Sequence, residues 1–156
     1  MANITYRYEK GKYDLSKLKE GKCRVGFFES ARYASNLPVA TVAQWNEYGT
    51  KQHVPARPFI RPALHQNKAQ LVDLLRRRYD QALRNNDNTM NVLFEFGEYC
   101  KGLVQDQIRN TWSPPNAPST IKQKGKNTPL RDTMVMLHSV SHKEEELHTQ
   151  LLSRRD

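Results

Sequence analysis

Apolar and polar residues alternate along this chain in two different rhythms, and the change between them divides it into elements. Ile4, Tyr6 and Tyr8 alternate with Thr5, Arg7 and Glu9, the period-two pattern of a half-buried strand. Gly11 breaks the pattern and residues 14–22 are polar. Cys23, Val25 and Phe27 then alternate with Arg24 and Gly26 as a second strand, with Phe28 on its opposite face. Residues 30–37 read as a loop. A helix is expected next, with Asn36 as a cap, Pro38 in the first turn and Gly49 as a left-handed stop. Val39, Val42, Ala43 and Asn46 line one side of it while Trp45 and Tyr48 line another, which predicts contacts on two faces. Pro55, Pro58 and Pro62 then hold residues 54–62 extended and forbid helix as far as Pro62, so this segment is expected to be a stiff arm.

A long helix is predicted from about residue 62, because Leu64, Leu71, Leu74, Leu75 and Ala82 recur at helical spacing. Arg76, Arg77 and Arg78 are consecutive and therefore cannot share one face. Residues 85–88 form a turn, and Thr89 is placed to cap a second long helix over 90–110. Its stripe of Leu93, Phe96, Cys100, Leu103 and Val104, with Val92 and Tyr99 beside it, makes it the best core helix in the chain. Residues 112–118 are too rich in proline to be regular. A short helix opened by Pro118 and closed by Gly125, a helical turn or two over 131–137, and a strand over 139–145 complete the pattern. Strand and helix signals are segregated, so the expected fold is α+β, a small mostly antiparallel sheet packed against two long helices. It forms one domain over residues 1–146. Residues 147–156 are a tail or interaction arm, since Leu147, Leu151 and Leu152 make a helical stripe too short to stand alone.

A length of 156 residues with 37% apolar content fits one domain with a modest core. No apolar run approaches bilayer length, and the first residues lack a basic stretch followed by an apolar one, so a cytoplasmic protein is expected. The net charge of +9 is concentrated. Residues 51–84 carry eight Lys or Arg against two Asp, a net of +6, and residues 116–131 carry four with no acid. Phosphate is the usual partner of such clusters, with a solvated helix face or docking on an acidic neighbour as the alternatives. No recognition helix or stacking platform accompanies them, so any DNA contact is expected to be to the backbone alone. The residues available for it are Arg76, Arg77, Arg78, Lys122, Lys124 and Lys126.

Candidate chemistry adds little. His53, His65, His138, His142 and His148 are scattered, and no nucleophile elbow, phosphate loop or metal-ligand motif occurs. Cys23 and Cys100 have no second cysteine or histidine at ligand spacing and read as free buried thiols, with a disulfide or a metal site as the alternatives. No catalytic residue, cofactor or metal is therefore expected. Glu47 with Arg57 or Arg61 reads as an ion pair within or between subunits, favoured over an acid–base constellation. Trp45, Tyr48 and Phe59 are the kind of side chain that stacks on bases or anchors an interface; the interface is favoured, with Trp45, Tyr48, Arg57, Phe59 and Arg61 as its residues.

Several segments carry a resemblance in order and spacing. They are residues 25–28 (VGFF), Val42-Ala43 with residues 45–50 (WNEYGT), and residues 55–64 (PARPFIRPAL). Weaker ones are residues 118–122 (PSTIK), Lys124-Gly125, residues 129–133 (PLRDT) and residues 137–140 (LHSV). Together they resemble the tail-completion (neck) proteins of long-tailed bacteriophages. Met134 stands where that family usually has glycine, which leaves the local turn open. The resemblance implies a virion structural protein, assembled as a homo-oligomeric ring where the head connector meets the tail. It implies neighbouring connector and tail-tube or terminator proteins as partners, and genomic DNA passing through the lumen. A tail terminator ring capping the tube, or a nucleic-acid-binding protein unrelated to virions, are the alternatives.

Overall fold

The computed structural model describes residues 18–51, 53–131 and 133–147. In chain order the elements are β1 (Gly21–Gly26), α1 (Val39–Tyr48), α2 (Ile60–Gln66), α3 (Lys68–Asn85), α4 (Thr89–Asn110), α5 (Pro118–Lys124), α6 (Val135–His138) and β2 (Ser141–Glu146). The fold is α+β. Among the described residues β1 and β2 pair antiparallel, with Gly21 opposite Glu146 and Gly26 opposite Ser141, as a two-stranded sheet. A two-stranded ribbon is marginal by itself, and here α4 covers one of its faces.

α4 is the hub, packing against both strands, α2, α3 and α6. Leu93, Gly97, Cys100, Val104 and Ile108 follow one another at steps of three or four, so one side of the helix is buried along its whole length. Its second half joins Val39 and Ala43 of α1, Phe59, Ala63 of α2, and Met136, Leu137 and Val140 in the larger apolar cluster. Its first half, through Val92 and Leu93, meets Leu75, Tyr79 and Ala82 of α3. The sheet thus rests on α4, and α3 packs on α4, an arrangement that differs from the expected sheet against both long helices.

Other local expectations are corrected by geometry. The helix expected from residue 62 begins earlier, at Ile60, because Pro62 is its third residue, where the N–H has no intrahelical partner to lose. It is then divided at Asn67, whose side-chain amide donates to the Ala63 carbonyl at 2.8 Å, and α3 starts afresh at Lys68. Asn88 rather than Thr89 caps α4, accepting from the Met90 N–H at 3.0 Å. Thr89 is fully buried and its hydroxyl accepts from the Lys19 N–H at 2.9 Å, tying the approach to β1 onto the start of α4. Asn36 does not cap α1; it has a positive φ in the turn that precedes the helix, and Pro38 occupies the cap position. Gly49 ends α1 with a φ of 75°, and a Cβ there would press on the Ala56 nitrogen at 3.0 Å. The short helix α5 closes on left-handed Gly125 as expected. Met134 adopts φ 58°, so the backbone keeps a left-handed turn although the residue is not glycine, at a cost of about 1–2 kcal/mol. The strand expected over residues 4–8, Asp132 and the tail from His148 onward lie outside the described residues. Among the described residues no helix is long and apolar enough to cross a membrane.

Candidate functional site

The segment expected to be a stiff arm folds back on its own chain. The Arg57 N–H donates to the Asn46 carbonyl at 2.6 Å, and Thr50 N–H to the Val54 carbonyl at 2.8 Å. What holds it is Glu47, only 3% exposed. Its carboxylate stands at the start of α2 and accepts from the N–H groups of Phe59 (2.7 Å), Ile60 (3.0 Å) and Arg61 (3.0 Å), and from Arg61 Nε at 2.9 Å. Arg61 Nη2 also donates to the Glu47 carbonyl at 3.0 Å. Burial pushes the Glu47 carboxyl up, but these donors outweigh it and hold the group below the ordinary glutamate range. α1 and α2 are joined through one ionised side chain.

Two of the five expected interface residues are therefore interior. Phe59 is fully buried and meets the Phe27 ring edge-on at 6.0 Å. Arg57 is 6% exposed and does not pair with Glu47; Nε and Nη2 donate to the carbonyls of Pro114 and Pro115, each at 2.7 Å, so its planar fork pins the proline-rich 112–118 segment. Neither presents itself to another molecule. The other three share a surface. Trp45 and Tyr48, one helical turn apart, are 40% and 63% exposed, and the Arg61 guanidinium lies 4.6 Å from the centre of the Tyr48 ring. Beside them a cavity of about 240 Å³ is lined by Phe27, Ala40, Gln44, Tyr48, Ile60 and Arg61. Trp112, read from sequence only as part of an irregular stretch, is 57% exposed beneath the Arg131 guanidinium at 4.0 Å.

Arg76, Arg77 and Arg78 are all exposed on α3. Arg77 pairs with Asp73 at 3.0 Å one turn earlier and Arg78 with Glu95 of α4 at 3.5 Å. Lys122, Lys124 and Lys126 are exposed on α5 and the turn that follows it.

A further cluster was not legible from spacing along the chain. Cys23 lies opposite Glu144 in the sheet register and His142 opposite Val25, so the side chains of Cys23, His142 and Glu144 share the face turned to α4. His142 Nδ1 contacts Glu144 Oε1, His142 Nε2 lies 2.6 Å from Glu98 Oε1 of α4, and Cys23 Sγ is 3.9 Å from Glu144 Oε1. The imidazole is 6% exposed. Burial lowers its proton affinity, but the two carboxylates override this and raise its pKa. Burial and Glu144 push the Cys23 thiol up to about 11, and burial and Cys23 push Cys100 up to about 12, so both thiols stay protonated and poorly nucleophilic at neutral pH. Of the remaining histidines, His53, His65 and His138 are exposed, and His148 is outside the described residues. Comparison of the chain with protein-family models, curated proteins and solved structures gives no match.

Proposed function

We propose that this chain is a structural subunit of a tailed-bacteriophage virion, forming a homo-oligomeric ring at the head–tail junction that joins the tail to the head connector and lets DNA pass. The order and spacing of the segments that resemble tail-completion proteins support the reading. The observation that carries it is the Trp45, Tyr48 and Arg61 surface. These are the side-chain types that dominate protein interfaces, and Glu47 fixes the two helices that present them. Little ordering remains to be done on association. The role is one of assembly rather than catalysis. Arg76, Arg77 and Arg78 provide a positive surface for phosphate contacts that are independent of sequence, weak enough for a genome to leave past them.

Assembly is the test. Electron microscopy of lysates from a phage whose copy of this gene is interrupted should show separate heads and tails. Adding wild-type protein should join them. The Trp45→Ala/Tyr48→Ala protein should fold and fail to do so. Complete particles formed without the protein would refute the proposal.

A further inference from the structure

We propose that Cys23, His142 and Glu144 form a binding site for one divalent transition-metal ion of the zinc class, with Glu98 as the outer carboxylate that orients the imidazole. Independently of any role in assembly, such an ion would staple β1 to β2 beneath α4. The three ligand atoms, one thiol sulfur, one imidazole nitrogen and one carboxylate oxygen, lie within 4.8 Å of one another. Zinc sits about 2.0–2.3 Å from such atoms in a tetrahedral shell. The ion would take the place of a proton between His142 Nδ1 and Glu144, whose atoms are in contact. The fourth position is left for water, since Glu144 keeps the cluster open to solvent with a side-chain exposure of 19%.

Two observations besides proximity point to a metal. The first is the partner of the other ring nitrogen. Glu98 approaches Nε2 at 2.6 Å, so this carboxylate can hold the proton on Nε2 when the ion displaces the one on Nδ1, which leaves the Nδ1 lone pair facing Cys23 and Glu144 in the carboxylate–histidine–metal arrangement. The second is Gly97, buried in the middle of α4. A Cβ at this position would lie 2.5 Å from His142 Nδ1 and 2.9 Å from Cys23 Sγ, so the ligand atoms occupy space that only glycine leaves open. Glycine inside a helix costs about 1 kcal/mol relative to alanine. The mixed donor set also selects the ion, because thiolate and imidazole favour zinc-like metals over magnesium or calcium.

The experiment uses full-length protein stripped with a chelator, dialysed, and titrated with cobalt(II) and then zinc. The expected result is one cobalt per chain, with a thiolate-to-cobalt charge-transfer band in the near ultraviolet and visible bands of tetrahedral cobalt, both bleached by zinc. Cys23→Ser, checked for native circular dichroism, should lose the charge-transfer band. Glu98→Gln should keep the spectrum and bind about 10–100-fold more weakly. Absence of stoichiometric cobalt binding, or a charge-transfer band that survives Cys23→Ser, overturns the proposal and leaves the cluster a hydrogen-bonded ion-pair network.

Discussion

Replacing Glu47 by alanine tests how the fold is held at its most connected side chain. The carboxylate receives three backbone N–H groups, two of them through Oε2 and one through Oε1, together with Arg61 Nε. A hydrogen bond to a charged group contributes about 1.5–3 kcal/mol. Removing one side of a buried charged set costs about 3–5 kcal/mol. The Arg61 contribution is discounted, because that side chain is 57% exposed and water replaces its partner. The backbone donors decide the magnitude: the Phe59 N–H is buried and finds no other acceptor in place of the carboxylate. Glu47→Ala should therefore lose about 3–5 kcal/mol, a large share of the roughly 5–15 kcal/mol typical of a domain. Glu47→Gln should lose less, since it keeps one acceptor while turning an amide donor toward the other N–H groups. Urea unfolding followed by circular dichroism reads this as a lower midpoint at constant slope. The pH dependence has a definite sign. The folded-state pKa lies below the ordinary value of 4.5, so the stabilisation is fully present above that value and is lost as pH falls through the folded pKa. The gap between wild type and Glu47→Gln should shrink in that acid range. A loss below about 1 kcal/mol for Glu47→Ala, or a gap indifferent to acid, would refute the assignment of Glu47 as the lock between α1 and α2.

Phe59→Ala should cost about 3–5 kcal/mol in the same unfolding assay, so a failure to assemble would reflect lost folding and not a lost anchor. Gly97→Ala should destabilise by about 1–3 kcal/mol despite alanine's better helix propensity, because its methyl group meets the His142 ring; differential scanning calorimetry would register the lower Tm. Reversing Arg76, Arg77 and Arg78 to glutamate should change stability by about 1 kcal/mol or less, since the ion pairs involved are exposed, while abolishing salt-sensitive, sequence-indifferent DNA binding in a filter assay. Cys23 and Cys100 should resist a thiol reagent at neutral pH in the native protein and both react in denaturant, as the raised pKa values require.

Elements whose signal is local were legible in the sequence. The stripe of α4, the proline-opened and glycine-closed α5, and the alternation around Cys23 each depend on residues a few positions apart. Elements decided by distant partners were not. Phe59 and Arg57 look like surface anchors between prolines, yet one fills the core against Phe27 and the other reaches the Pro114 and Pro115 carbonyls. Asn88 won the cap over Thr89 because the Thr89 hydroxyl is claimed by Lys19, 70 positions away. The cluster of Cys23, His142 and Glu144 depends on pairing the first described strand with the last, a register no spacing rule reveals. The one local hint was the pattern His142-x-Glu144, which sets two ligand-capable side chains on the same face of a strand.

Size-exclusion chromatography with light scattering, run on wild type and on Trp45→Ala/Tyr48→Ala at matched concentrations, measures the central claim directly. The proposed ring predicts a closed multiple of the single-chain mass for wild type and a folded monomer for the variant. A wild-type monomer at every concentration, or an identical oligomer from the variant, would contradict it.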